Sequence, residues 1–208
     1  MSLAAPLSEH GYVPEPRIPV YRPVLTPEDR AAYVGAFDSG WISGRGPDIS
    51  KFEACMADYT GLPEAIAVAN GTVALHVALI ALGIGVGDEV IVPALSYVAT
   101  ANSVTYTGAR PVFADCDADT LQIDAASVAA RITSRTKAIM VVHNYGYPVE
   151  MDAIRAIADR AGVPIIEDCA EALGTRYADH HVGYGSRVAT FSFFANKTVT
   201  TGEGGMVL

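Results

Sequence analysis

Val163-Pro164-Ile165-Ile166-Glu167-Asp168 is an apolar, β-branched run that ends on two acids. With no polar alternation, it reads as a strand covered on both faces. Similar runs lie upstream at Lys137-Ala138-Ile139-Met140-Val141-Val142-His143, Pro111-Val112-Phe113-Ala114-Asp115, Glu89-Val90-Ile91-Val92-Pro93 and Ala65-Ile66-Ala67-Val68-Ala69. Helical patterns separate them. One runs from Asn70-Gly71-Thr72 through Leu82, one from a Ser96 cap to Gly108, one from about Asp124 to Arg131, and one from Met151 to Ala161 with Gly162 as its stop. Strands alternating with helices predict an α/β fold built on a mostly parallel sheet flanked by helices.

Downstream, Thr190-Phe191-Ser192-Phe193 alternates with period 2 and reads as a half-buried strand. It runs through Phe194-Ala195-Asn196 into Lys197 and then a polar stretch containing Gly202, Gly204 and Gly205. At the other end, Thr26 caps a helix that carries Pro27 at its first position and acids in its first turn, and Gly40 ends it. A glycine-rich loop, Trp41 to Pro47, leads to a second helix with Ile49, Phe52, Met56 and Tyr59 on one face. Residues 1–24 are proline-rich and aperiodic, an extended arm ahead of one domain over 25–208.

Composition narrows the function classes. A chain of 208 residues, half of them hydrophobic, can bury a large core. A net charge of −9 argues against a nucleic-acid groove. No apolar run reaches transmembrane length, and the first residues lack the basic head of a signal peptide, so a membrane partner is not expected. Cys55, Cys116 and Cys169 are widely spaced and odd in number, which suits free thiols in a reducing cytoplasm. His180 and His181 are adjacent and diverge, so no metal site is expected. Gly83-Ile84-Gly85-Val86-Gly87 follows a helix rather than a strand and reads as a turn, not a dinucleotide fingerprint.

In open sheets of this kind, ligands bind beyond the carboxyl ends of the strands. Gly71, Thr72, Tyr97, Asp168, Ser192 and Lys197 all follow strands, so they share one edge. Asn70-Gly71-Thr72 offers backbone amides at a helix start, an anion site suited to phosphate, although the tripeptide also suits an ordinary cap. Asp168 at a poorly solvated strand tip needs a partner, such as a protonated ring nitrogen. The competing reading makes Asp168 the cap of a following helix and Glu171 part of its first turn. Two carboxylates this close should repel, raising the pKa of one. The Tyr97 ring could cover a flat ligand or pack into the core. The sequence has three lysines, and Lys197 alone lies between aromatics and glycines, where desolvation would make its amine nucleophilic; the alternative is an exposed loop lysine. Phosphate site, ring-nitrogen acid, aromatic cover and imine-forming lysine together describe pyridoxal 5'-phosphate.

Asn70-Gly71-Thr72, Glu167 to Gly174 and Phe191 to Met206 resemble, in order, three signature blocks of the DegT/DnrJ/EryC1/StrS sugar aminotransferases. The resemblance extends over most of 17–208, including Trp41 to Gly46 and Pro93 to Asn102. It implies a fold-type-I, aspartate-aminotransferase-like large domain, of which 25–208 is the N-terminal part, with the remainder and a small domain absent beyond Leu208. It implies that Lys197 joins the cofactor as an imine and carries the proton, that Asp168 pairs with the pyridine nitrogen, that Gly71, Thr72 and Ser192 hold the phosphate, and that Tyr97 stacks on the ring. Glu171, where glutamine or histidine is commoner, resembles the branch that makes GDP-perosamine. The implied partners are a nucleotide-linked keto sugar, glutamate as amino donor, and a second copy of the chain in a homodimer. The implied setting is lipopolysaccharide O-antigen biosynthesis. Lys197 argues against the related sugar dehydratases, which lack this lysine; a non-catalytic binding module on the same fold is the remaining alternative.

Overall fold

In the computed structural model, which describes residues 23–41 and 43–208, helix α1 (Pro27–Asp38) begins at a complete capping box. Thr26 Oγ1 accepts the Asp29 N–H at 3.2 Å, and the Asp29 carboxylate accepts the Thr26 N–H at 2.8 Å. All but two residues of the expected arm, and Ile42 of the glycine-rich loop, lie outside the described residues. Helix α2 (Pro47–Thr60) ends on Gly61 at φ +71°. Its predicted face needs one correction. Met56 is buried and Phe52 meets Phe193 edge-on at 4.8 Å, but Tyr59 is 63% exposed. Thr60 is buried instead, its hydroxyl satisfied by the Met56 carbonyl at 2.7 Å.

The strands β1 (Ile66–Val68), β2 (Glu89–Pro93), β3 (Arg110–Ala114), β4 (Thr136–Val142), β5 (Ile165–Asp168), β8 (Val188–Ser192) and β9 (Gly205–Val207) form one sheet in the order β1-β9-β8-β5-β4-β2-β3. Strands β6 (Arg176–Tyr177) and β7 (His180–His181) form a separate ribbon. Neighbours from β8 to β3 pair in parallel, whereas β9 runs antiparallel to both β8 and β1. The mostly parallel sheet expected from the sequence is therefore present, with one reversed strand that no periodicity announced.

Alternating residues face opposite layers, as the pleat requires. Val90, Val92, Met140 and Ile166 pack beneath α3 (Gly71–Ala81) and α4 (Ala99–Tyr106). Ile91, Ile139, Val141 and Ile165 pack beneath α5 (Ala125–Ala130) and α6 (Met151–Ala161), the latter stopped by Gly162 as expected. Thr190 is buried as well as Phe191, because α3 lies against the Thr190 side of β8. The half-buried reading of this strand is thus corrected to one buried on both faces. Ser96 does not cap α4, which starts at Ala99 with no side-chain cap; the Ser96 hydroxyl bonds Thr100 Oγ1 at 2.7 Å instead. The Gly83–Gly87 segment is a turn, as expected, and the three cysteines are free thiols.

At the end of the sheet opposite the strand tips, Glu89 is buried where β2, β3 and β4 begin. Its carboxylate accepts from Arg110, from the Thr133 hydroxyl at 2.7 Å and from Arg135 at 2.6 and 2.8 Å. The Arg110 bond, then those of Thr133 and Arg135, hold its pKa down to about 2. A carboxyl depressed in the fold stabilises it above the ordinary value of 4.5, and that contribution is lost as pH falls through the folded value. Glu89→Gln should lower the melting temperature at pH 7, and the gap to wild type should close as the pH of the melts approaches 2. A gap that does not change with pH would leave the ion pair without a role in stability.

Candidate active site

A cavity of about 290 Å³ opens at the carboxyl edge of the sheet, and Gly71, Thr72, Tyr97, Asp168, Glu171, Ser192 and Lys197 all line it. Segments far apart in sequence reach it because each follows a strand. The floor is made by β9 and α3 in close approach. A Cβ on Gly205 would lie 2.4 Å from the Asn70 carbonyl, and one on Gly71 would lie 2.8 Å from Ser192 Cβ. Neither position tolerates a side chain without moving backbone, so both glycines are explained by contact alone.

Asn70 caps α3, its Oδ1 accepting the Val73 N–H at 3.0 Å. This is the cap that the sequence offered as the alternative reading, and it coexists with the anion site. The Gly71 and Thr72 amides keep no protein acceptor among the described residues, and they face the cavity beside Ser192. A helix start with two free amides and an adjacent hydroxyl suits a phosphate.

Asp168 ends β5 on the α3–α4 face, in parity with Ile166. No helix follows it; residues 169–175 turn irregularly, which removes the capping alternative. Its Oδ1 accepts the Ala170 N–H at 3.1 Å, and its Oδ2 has only Thr100 Oγ1 at 3.4 Å. Burial, offset in part by the Ala170 amide and the Lys197 charge, pushes its pKa up. A buried, under-bonded carboxylate lining a cavity calls for a cationic donor.

Lys197 is not on an open loop: its side chain is 17% exposed and its Nζ lies 3.5 Å from Glu171 Oε1. Glu171 reaches the site from an irregular turn rather than the helical turn expected. Tyr97 is 76% exposed at the cavity mouth, ahead of α4, so it is not core packing.

Three residues at the site are not among those the sequence singles out: Asn144 and Asn196 line the cavity, and Thr100 lies behind it against Asp168. Asn144 follows β4 and is held by the carbonyls of Leu95 and Leu121 at 3.0 and 3.2 Å. Reading His143 as the strand end, and looking one residue further, would have found it. Asn196, next to Lys197, has a buried Oδ1 without a partner. Thr100 follows the Pro93–Ala99 run and nothing in its pattern marks it.

Behind the site, Glu167 faces away from Asp168. His143 Nδ1 accepts the Val149 N–H at 3.1 Å, so Nε2 carries the proton and donates to Glu167 at 2.9 Å. Burial opposes the ionised form of Glu167, but bonds from His143, Ser186 and Gly183 outweigh it and hold its pKa low. Cys169 completes a buried His143–Glu167–Cys169 group, but the His and Glu donor atoms are already engaged, and burial pushes the thiol well up. This group reads as a structural network.

The sequence pattern of the DegT/DnrJ/EryC1/StrS aminotransferase family matches residues 23–208, and the chain belongs to that family. Among curated relatives, the GDP-perosamine synthase of Escherichia coli O157:H7 is 50% identical over 191 residues, 92% of this chain and 52% of its own length. That of Caulobacter vibrioides is 53% identical over 192 residues, again 92% of this chain and 52% of its own. The chain spans about half the length of the curated relatives it matches. S. venezuelae DesV, solved in complex with a ketimine intermediate, superposes with TM-score 0.82 at 44% identity over 87% of this chain and 50% of that one. The putative sugar aminotransferase Spr1654 of Streptococcus pneumoniae, in its PLP-form, gives 0.85 at 31% identity over 91% and 52%. The fold is that of fold-type-I pyridoxal-phosphate-dependent transferases, and pyridoxal phosphate is the family's cofactor.

The residues present fit that cofactor. Two free amides with Ser192 suit its phosphate, the under-bonded Asp168 suits its ring N–H, and Lys197 lines the same cavity.

The Asp168 environment has a measurable cost. An acid whose folded pKa is raised above its unfolded value destabilises the fold increasingly as pH rises through that interval. Without cofactor, Asp168→Asn should therefore melt higher than wild type at pH 7, and the advantage should fade below the unfolded value of 3.8. A lower melting temperature for the variant at pH 7 would show that the carboxylate is well satisfied without a ligand.

Proposed function

We propose that the protein transfers an amino group from glutamate to a keto sugar on a nucleotide carrier, with GDP-4-keto-6-deoxymannose as acceptor and GDP-perosamine as product. The observation that carries the reaction class is Lys197, one of three lysines, enclosed with Asp168 in a cavity floored by free helix amides. The choice of sugar is supported by the 48–53% identity to three GDP-perosamine synthases and by Glu171.

Pyridoxal phosphate, when bound, supplies an electron sink and carries the amino group between donor and acceptor. Lys197 would hold it covalently and, when free, would move the proton at its Nζ. Asp168 would keep a proton on the ring nitrogen, in a buried place that excludes water. The Gly71 and Thr72 amides and the Ser192 hydroxyl would hold the phosphate, and Tyr97 would cover the ring. Glu171 adjusts the electronics of the site rather than binding sugar. Residues 25–208 act as the N-terminal part of the cofactor-binding large domain. The working assembly is a homodimer, set in the cytoplasm, in which the partner covers exposed Tyr97 at the cavity and the exposed Val98 and Tyr145 near it in sequence. The related dehydratase reading is opposed by Lys197.

Incubation with pyridoxal phosphate should give a visible absorption band that borohydride abolishes, leaving a reduced adduct on the Lys197 peptide. Lys197→Ala should lose the adduct, whereas Lys51→Ala and Lys137→Ala retain it; an adduct on Lys51 or Lys137 sinks the assignment. A panel of keto nucleotide sugars offered with glutamate to a full-length form should show fastest amination of the GDP-linked 4-keto sugar. Faster turnover of a 3-keto, UDP- or dTDP-linked sugar would move the protein to another branch of the family.

A further inference from the structure

Glu171 is fixed more firmly than an acid adjusting a ring needs to be. Its Oε2 accepts the Tyr145 N–H at 2.8 Å, and its Oε1 faces Lys197 Nζ at 3.5 Å. The amide comes from a residue in the left-handed region, Tyr145 at φ +57° and ψ +21°. A tyrosine avoids that conformation, and strain of this kind gathers at functional sites. The neighbouring residues lock it in place. Asn144 is held as described above, and the Gly146 carbonyl accepts the Thr175 hydroxyl at 2.8 Å. A Cβ on Gly146 would lie 3.2 Å from the Glu171 carbonyl, so the two turns are in contact. The loop after β4 and the loop after β5 thus hold one carboxylate between them.

We propose that Glu171 is the positioning residue for Lys197: anchored by the Tyr145 amide, its carboxylate receives the lysine ammonium whenever the amine is not bonded to the cofactor. This rests on the cofactor-binding reading of Lys197. In an amino-transfer cycle the lysine is freed once, when the donor amine displaces it, and stays free until the product leaves; a free ammonium on a four-carbon stem would otherwise wander. Glu171 keeps it over the site. The other charged and titratable groups facing Lys197 act differently. Asp168 is bonded to Ala170 and Thr100, Glu203 lines the same cavity from an exposed loop, and Tyr97 stands at the mouth. Among the described residues, Glu171 is the acid within ion-pair distance.

The test uses the full chain without cofactor, so it fails or succeeds independently of the adduct experiment. Limited acetylation with acetic anhydride near pH 8 is read by peptide mass spectrometry, with Lys51 and Lys137 as internal standards. Glu171→Gln keeps an acceptor for the Tyr145 amide but removes the charge. The Lys197 to Lys51 labelling ratio should rise several-fold, because the amine is no longer held against a carboxylate 3.5 Å away. Glu171→Asp, which withdraws the charge by one methylene, should give an intermediate rise, and it decides the matter alone should the Gln variant not fold. An unchanged ratio near pH 8 overturns the proposal. So does a rise matched by faster backbone amide exchange across residues 169–175, since that reports loosened packing rather than a lost charge.

Discussion

A carboxylate enclosed at the tip of a central strand is the constraint on which the rest of this structure depends. Asp168 sits in the middle of the sheet, between β4 and β8, with α4 over it. Placing an acid there requires the surrounding groups to forgo better-bonded alternatives. Thr100 is turned toward it at 3.4 Å, too long for a strong bond, and the Ala170 amide supplies the one good donor. The same carboxylate that burdens the fold is, in the proposed function, the one that orders the cofactor. Stability and function here pull on a single side chain.

Strand β5 displays two consecutive acids to opposite layers, and their fates differ for a physical reason. Glu167 meets a histidine, a hydroxyl and a backbone amide, and it is ionised and satisfied. Asp168 meets too few donors and faces an opening. The back-side network ties β4, β5 and the 183–186 turn together, next to the strand tip that carries Asp168. One residue of register separates a structural acid from a functional one.

Much of this was legible in the sequence. The continuous apolar runs at 89–93, 137–143 and 163–168 gave the strands, and Thr26, Asp124 and Gly162 marked helix ends that the structure keeps. The rule that ligands lie beyond strand ends gathered six residues that do share one cavity. What escaped was non-local. The reversal of β9 depends on pairing with β1, well over a hundred residues earlier, and a three-residue strand has no period of its own. The left-handed turn at Tyr145 follows from contacts with Glu171 and Thr175, not from any preference of tyrosine. Ser96 looked like a cap, but its hydroxyl found Thr100 instead, and the helix begins later.

The position of β9 also dictates an order of assembly. Strand β1 touches the sheet only through β9, and residues 66–68 pair with residues 205–207. As a chain is synthesised from its N-terminus, the parallel strands β2 to β5 can collapse under their helices while β1 still has no neighbour to pair with. The first strand of the sheet must wait for the last, a closure of long sequence separation that is entropically slow. Because Gly205 also seats against Asn70, the docking that completes the sheet is the docking that brings the α3 amides to the floor of the cavity. The helix start at Asn70–Thr72, encoded early in the sequence, is among the last parts of the molecule to reach its final place.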